Sequence, residues 1–290
     1  MFTPAAGEGR LMKYGVAIFA TDETIDVPQL AVAAEQRGFE SLFLPEHTHI
    51  PASRRTPYAG GGELQRYFYH LVDPLVSLAG AAVLTKTIKL GTGVILIPEH
   101  DPIVLAKELA TLDRISNGRL IFGVGAGWIA EEAENHVVTF NTRFGLMRER
   151  VEAIKAIWTQ EDARYHGKFV NFDPIWCHPK PLQKPHPPVL MGGRTSASRR
   201  RAVAYCDGWI PTAIGARELL PAIADLRQQA RAAGRNPDSV SVTSFGASAQ
   251  PDELKLLADA GVERAVFWLP SAGADRVLPE LDRLASALKL

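Results

Sequence analysis

Strand-like and helix-like stretches alternate along almost the whole chain, and this alternation restricts the available folds more than any single motif does. Short apolar runs at 14–19 (YGVAIF), 41–44 (SLFL), 88–97 (IKLGTGVILI), 120–124 (LIFGV), 189–191 (VLM), 208–211 (GWIP), 240–245 (VSVTSF) and 262–269 (VERAVFWL) read as buried strands. Between them, helical spacing of apolar residues predicts helices over 27–37, 73–84, 101–116, 143–158, 196–205, 218–233, 252–259 and 275–288. Strands that alternate with helices are parallel, because each helical crossover carries the chain back to the end of the sheet where the previous strand began. Eight such repeats fit a closed (β/α)8 TIM barrel better than an open doubly wound sheet of five or six strands. In such a barrel, function sits where strands end, which directs attention to the residues after Phe19, Leu44, Ile97, Val124, Met191, Pro211, Phe245 and Leu269.

A chain of 290 residues can bury about three quarters of its unfolded surface, enough for a core without disulfide or metal staples. Residues 12–290 read as one barrel domain carrying a Pro- and aromatic-rich insertion at about 160–188, with a short hairpin in RYHGKFVNF. The polar opening, residues 1–11, reads as a disordered tail, which makes Met12 as well as Met1 a candidate start. The formal net charge is zero, so the basic excess of a nucleic-acid binder is missing. No apolar run approaches the ~20 residues of a membrane span. Cys177 and Cys206 form no CxxC pattern, and a reducing cytoplasm suits them.

The second strand runs into Pro45-Glu46-His47-Thr48-His49. A carboxylate beside two imidazoles is an acid/base group, a cofactor contact, a metal site, or a satisfied structural pair. The metal reading is weak: the histidines end at His186, so the last strands offer no further ligands. Gly91 and Gly93 interrupt the third strand, as a barrel bend or as backbone lying close to a flat ligand. The run Gly123-Val-Gly125-Ala-Gly127-Trp128 imitates a dinucleotide fingerprint, but its sixth position is Trp128 and it follows the fourth strand. Its glycines could admit a ligand, with Trp128 as a wall or as ordinary packing. Gly192-Gly193-Arg194-Thr195-Ser196 ends a strand and opens a helix, where free N–H groups and the helix dipole suit a phosphate or simply a capped start. Arg54 and Arg55 on the long second loop could meet an anionic tail or only solvent. No GxSxG, HExxH or P-loop is present, so serine or zinc hydrolysis has no motif support.

Taken together and in order, LFLPEHTHIP, LGTGVILIPEHDPIVLAKELATLDRISNGR, FGVGAGW, RERVEAIKAIW, YHGKFVNFDPIW and HPPVLMGG resemble the luciferase-like monooxygenase superfamily, nearest to its coenzyme F420-dependent oxidoreductases. The resemblance covers about Met12 to Gly193 and implies a barrel that binds a deazaflavin at its C-terminal face. It further implies a carboxylate–His pair at Glu46-His47, a non-proline cis peptide at Gly93-Val94 behind the flavin ring, and a phosphate contact at Gly192-Gly193. His47 would then exchange a proton or a polar contact, Glu46 would orient it, and His49 would be second in line. The related sugar-phosphate dehydrogenases carry a Trp and a Glu where this chain has Pro51 and Trp128, so the strand-four acid is missing unless Glu131 or Glu132 substitutes. The expected activity is hydride transfer between F420 and a small organic substrate. The alternatives are an FMN-dependent monooxygenase served by a flavin reductase, and a non-catalytic deazaflavin-binding protein. The resemblance also implies a homodimer.

Overall fold

A computed structural model describes residues 11–58, 60–212 and 214–290. Apart from exposed Leu11, the expected tail lies outside the described residues. The strands are β1 (Lys13–Ala17), β2 (Ser41–Leu44), β3 (Lys89–Thr92), β4 (Ile95–Leu96), β5 (Leu120–Gly125), β6 (Ala163–His166), β7 (Asn171–Ile175), β8 (Val189–Gly192), β9 (Gly208–Ile210), β10 (Ser241–Phe245) and β11 (Arg264–Trp268). The helices are α1 (Val27–Gln36), α2 (Pro74–Leu84), α3 (Pro102–Ile115), α4 (Ala130–Asn135), α5 (Arg143–Thr159), α6 (Ser196–Tyr205), α7 (Ala216–Ala232), α8 (Pro251–Asp259) and α9 (Ala274–Leu288).

The sheet runs β3-β2-β1-β11-β10-β9-β8-β5-β4, and β3 also pairs with β5, so it closes on itself. Every barrel pairing is parallel. The fold is the (β/α)8 barrel that the alternation predicts. β6 and β7 form a separate antiparallel hairpin inside the expected insertion.

The third barrel position, expected as a strand over 88–97 interrupted by two glycines, consists of β3 and β4. They flank a non-proline cis peptide at Gly93–Val94, the position at which the resemblance implies one. The Gly93 amide donates to Leu44 O at 2.7 Å, and a Cβ on Gly93 would stand 2.6 Å from the Phe245 ring. The chain therefore passes too close to the barrel interior for any side chain there. The structure also holds elements the sequence does not signal. Among them, the acidic stretch 130–135 is itself α4, and a 3-10 turn at Arg66–Tyr69 orders part of the long second loop.

The barrel strands are buried on both faces, which is why they read as unbroken apolar runs rather than alternating ones. Inside, Ala17, Phe43, Ile121, Leu190, Ile210, Phe245 and Val266 pack together, with Phe43 and Phe245 edge to face at 5.6 Å between ring centres. A Cβ on Gly91 would collide with the Phe43 ring, so Gly91 makes room for this core. Outside, the apolar faces of the helices cover the barrel. Asp73 and Asp101 start α2 and α3 by accepting first-turn amides, each followed by a proline at N1, where no amide is needed.

The N-terminal face is tied together by Arg119, which is 6% exposed. Its guanidinium donates to Ala82 O, Thr85 O, Thr85 Oγ1, Ile88 O and Ser116 O at 2.6–3.0 Å. One cation thus satisfies carbonyls at the C-terminal ends of both α2 and α3, where the helix dipoles favour it. Arg119→Ala should lower stability by about 3 kcal/mol or more, because several buried carbonyls lose their donor. Arg119→Lys should recover little, since an ammonium cannot span both helix ends. Urea unfolding would check this; a Lys variant with the wild-type midpoint would contradict it.

Candidate functional site

At the C-terminal ends of the strands lies a cleft of about 660 Å³. Of the residues singled out from sequence, Glu46, His47, Gly93, Val94, Trp128 and Arg194 line it. Gly91, Gly125, Gly127, Gly192, Gly193 and His49 are not among its lining residues. Gly125 and Gly192 lie against Val94, where a Cβ would press on its methyl groups, so they let the cis segment pack onto β5 and β8. Gly127 (φ +74°) and Gly193 (φ +102°) take left-handed backbone that glycine adopts at no steric cost. His49 sits at the rim, where its ring nitrogens meet Thr48 Oγ1 at 3.0 Å and Asn135 Nδ2 at 2.8 Å.

His47 leaves the end of β2 with its ring almost fully buried. Its Nδ1 lies 2.8 Å from Glu132 Oε2 and 3.0 Å from Oε1. On the other edge, the Trp128 indole N–H donates to His47 Nε2 at 3.3 Å. An indole nitrogen can only donate, so Nε2 is the acceptor and the ring proton sits on Nδ1, facing Glu132. The side chain of Glu132 is 0% exposed.

The sequence expectation that Glu46 orients His47 is corrected here. Glu46 turns the other way, accepting from the Leu96 amide at 2.6 Å and meeting His100 Nε2 at 3.0 Å. It holds β4 in place, and the orienting acid is Glu132 from α4. Burial works against a charged His100, but the hydrogen bond and the charge of Glu46 outweigh it and raise its pKa. Sequence had named Glu131 and Glu132 together as possible substitutes for a missing acid; the fold separates them. Glu131 accepts from the Arg55 and Thr56 amides and from Thr56 Oγ1, fastening the long second loop. Burial opposes its charge, yet these donors hold it down at about 2. The Arg54 guanidinium donates to Thr56 O and lies 5.9 Å over the Trp128 ring.

A fourth acid, Glu99, is not among the residues the sequence singles out. Its side chain is 2% exposed, and it meets Thr48 Oγ1 at 3.4 Å and His136 Nε2 at 3.5 Å. Burial, then the charges of Glu132 and Glu46, push its pKa up to about 8. His136 in turn is lowered, by burial and then by His49.

Six aromatic rings line the cleft: Phe19, Tyr58, Tyr67, Phe68, Trp128 and Trp268. Tyr67 and Phe68 come from the 3-10 turn that sequence did not reveal. On the far side, Thr195 caps α6 by accepting from Ser198 N, next to the Gly192–Gly193 backbone. Among the described residues no group of His, Cys, Asp or Glu is arranged to hold a metal ion. No helix among them is long and apolar enough to cross a membrane.

The profile of the luciferase-like monooxygenase family matches residues 1–280. An uncharacterized protein of Mycobacterium tuberculosis is 39% identical over 284 residues, 96% of this chain and 99% of the relative. The F420-dependent glucose-6-phosphate dehydrogenase of Nakamurella multipartita is 30% identical over 291 residues, 91% of this chain and 76% of the relative. The FMNH2-dependent dimethylsulfone monooxygenase of Pseudomonas putida is 32% identical over 157 residues, 53% of this chain and 43% of the relative. Among solved structures, monooxygenase RslO1 from Streptomyces bottropensis superposes with a TM-score of 0.76 at 22% identity, covering 96% of this chain and 99% of that one.

The raised pKa of Glu99 has a consequence for stability. Between its unfolded value of 4.5 and its folded value of about 8, the folded protein keeps a proton that the unfolded chain releases. Stability from this group is therefore lost as pH rises through that window. Glu99→Gln mimics the protonated acid and removes the loss. The melting temperatures of the variant and the wild type should coincide near pH 4.5 and separate by pH 8, with the variant higher. Thermal melts across this range would show it; a constant gap would contradict the shift.

Proposed function

The chain belongs to the luciferase-like monooxygenase family, and from that premise we propose that it is an oxidoreductase moving a hydride between coenzyme F420 and a small organic substrate held beside His47. The observation that carries this proposal is the Trp128–His47–Glu132 array, in which an acceptor nitrogen faces the cleft and a buried carboxylate stands behind it.

The cleft suits a flat cofactor. The Gly93–Val94 peptide borders it, and the glycine cannot carry a side chain. Gly91, Gly125 and Gly192 are proposed to act indirectly, by allowing that segment to sit where it does. Gly193, Arg194 and the capped start of α6 would receive a phosphate, which helix N-termini favour. Gly127 turns the chain so that Trp128 reaches the cleft. When bound, the deazaflavin supplies a carbon that accepts or returns a hydride, and the protein supplies orientation and shielding. His47 would take the substrate hydroxyl proton at Nε2 once that oxygen replaces the Trp128 indole as its partner. Glu132 would stabilise the resulting imidazolium and fix its orientation. Glu46 would serve by anchoring Leu96, and His49 would contribute at the rim.

F420 is favoured over FMN by the relative that uses F420 and matches across 91% of the chain. The cations Arg54 and Arg194 near the mouth would also suit a polyanionic tail. Titrating the protein in parallel with F420 and with FMN, followed by fluorescence, should give saturable binding of F420 alone. Preference for FMN would move the assignment to a flavin-dependent monooxygenase that needs a reductase. His47→Ala should lower turnover by about 10² or more while leaving F420 affinity within a few-fold. Retained activity in a variant of wild-type melting temperature would remove His47 from the chemistry.

A further inference from the structure

The aromatic residues of the cleft form one connected arc. Trp268 stacks on Phe19 with ring centres 4.5 Å apart and planes 9° from parallel. Phe19 touches Tyr67 at 4.5 Å and Phe68 at 5.2 Å. Tyr58 stands 5.6 Å from Phe68 and 5.9 Å from Trp128. The arc closes on His47, whose ring meets Phe68 at 5.6 Å and Trp128 at 6.0 Å, edge to face in both cases. These six rings come from the ends of β1 and β11, the loop after β2, its 3-10 turn and the loop after β5. No local sequence pattern requires them to meet, so the tertiary fold has built a continuous apolar wall around a single proton acceptor.

The charges around this wall are few. Both Glu46 oxygens are turned away, to the Leu96 amide and His100. Glu132 lies behind His47, not in front of it. Arg194 is the one lysine or arginine among the lining residues described, and Arg54, over the Trp128 ring, donates to the backbone at Thr56 O. A phosphorylated or carboxylated substrate seated against the arc would face aromatic carbon where it needs donors, at the desolvation cost of an unpaired charge. An apolar ring would instead gain stacked or edge-on contact.

We infer that the space between the aromatic arc and His47 is a substrate site for uncharged, ring-bearing secondary alcohols and the matching ketones. This rests on the proposed hydride-transfer function. In the oxidative direction the carbinol C–H bond breaks and its hydride passes to the oxidised deazaflavin. The O–H proton goes to His47 Nε2, and the carbon–oxygen double bond of the ketone forms. The alcohol loses two electrons and the cofactor gains them, so no other oxidant is needed; ketone reduction is the reverse.

The test has two independent arms. In the first, F420 reduction is followed with 1-phenylethanol, cyclohexanol, isopropanol and glucose 6-phosphate. The ring-bearing alcohols should exceed isopropanol in kcat/KM by about 100-fold, as expected for burying a ring's worth of apolar surface, and glucose 6-phosphate should be inert. Tyr67→Ala and the milder Phe68→Leu should raise KM for 1-phenylethanol by about tenfold without changing F420 affinity. Equal or better turnover of glucose 6-phosphate or isopropanol would overturn the inference. In the second arm, acetophenone is titrated against cofactor-free protein by tryptophan fluorescence. Saturable binding, weakened in both variants, is expected; its absence would overturn the site even if F420 binds. If acetophenone binds and F420 does not, the arc stands as a ring-binding site and the hydride-transfer function fails instead.

Discussion

A carboxylate buried as completely as Glu132 must be met by a donor, and in this fold His47 meets it. That one hydrogen bond joins α4 to the end of β2 across the mouth of the barrel. It fixes the tautomer of His47, and with it the nitrogen that faces the cleft. Trp128 can donate to that nitrogen only because the proton already lies on the other edge. The neighbouring residue on α4, Glu131, is the anchor of the long second loop. The long loop after β2 is drawn over the cleft by Glu131, and with it come Tyr58 and Arg54.

Four glutamates around this mouth show how environment, not residue type, sets a role. Glu46 is paired with a backbone amide and a histidine and acts as a structural anchor. Glu131 collects several donors and stays ionised far into acid. Glu132 serves His47. Glu99, which accepts only a long 3.4 Å contact from Thr48 Oγ1 among the described residues and has two other carboxylates nearby, keeps its proton near neutrality. Glu99 is held near those carboxylates without adding a full charge to the cluster, because burial and their proximity favour its neutral form.

The interruption at Gly93–Val94 has a similar reach. Phe245 crosses the barrel interior and leaves no room for a side chain at position 93. The third strand stops, the cis peptide enters the cleft, and pairing with β5 resumes at Ile95 and Leu96. Gly91, Gly125 and Gly192, which in sequence look like places for a ligand to approach, are the clearances that let Phe43 and Val94 pack. The glycines were legible as close approaches. What approaches them was not, because a glycine records only that space is needed.

The alternation of strands and helices, the capped helix starts and the apolar runs determined the closed barrel, since parallel strands with helical crossovers have few other ways to bury eight two-sided strands. The barrel in turn marked Glu46-His47, Gly93-Val94, Trp128 and Gly192–Arg194 as lying near strand ends. The sequence pairs His47 with the adjacent Glu46, and the structure pairs it with Glu132. Side chains of neighbouring residues in extended chain leave on opposite sides, while a residue 85 positions away can be folded into contact. Sequence could not disclose Glu99 or the aromatic arc either. Their members lie at strand ends, in short 3-10 turns and on loops far apart in the chain. Both burial and ring contact are properties of how those segments pack, which only the tertiary structure decides.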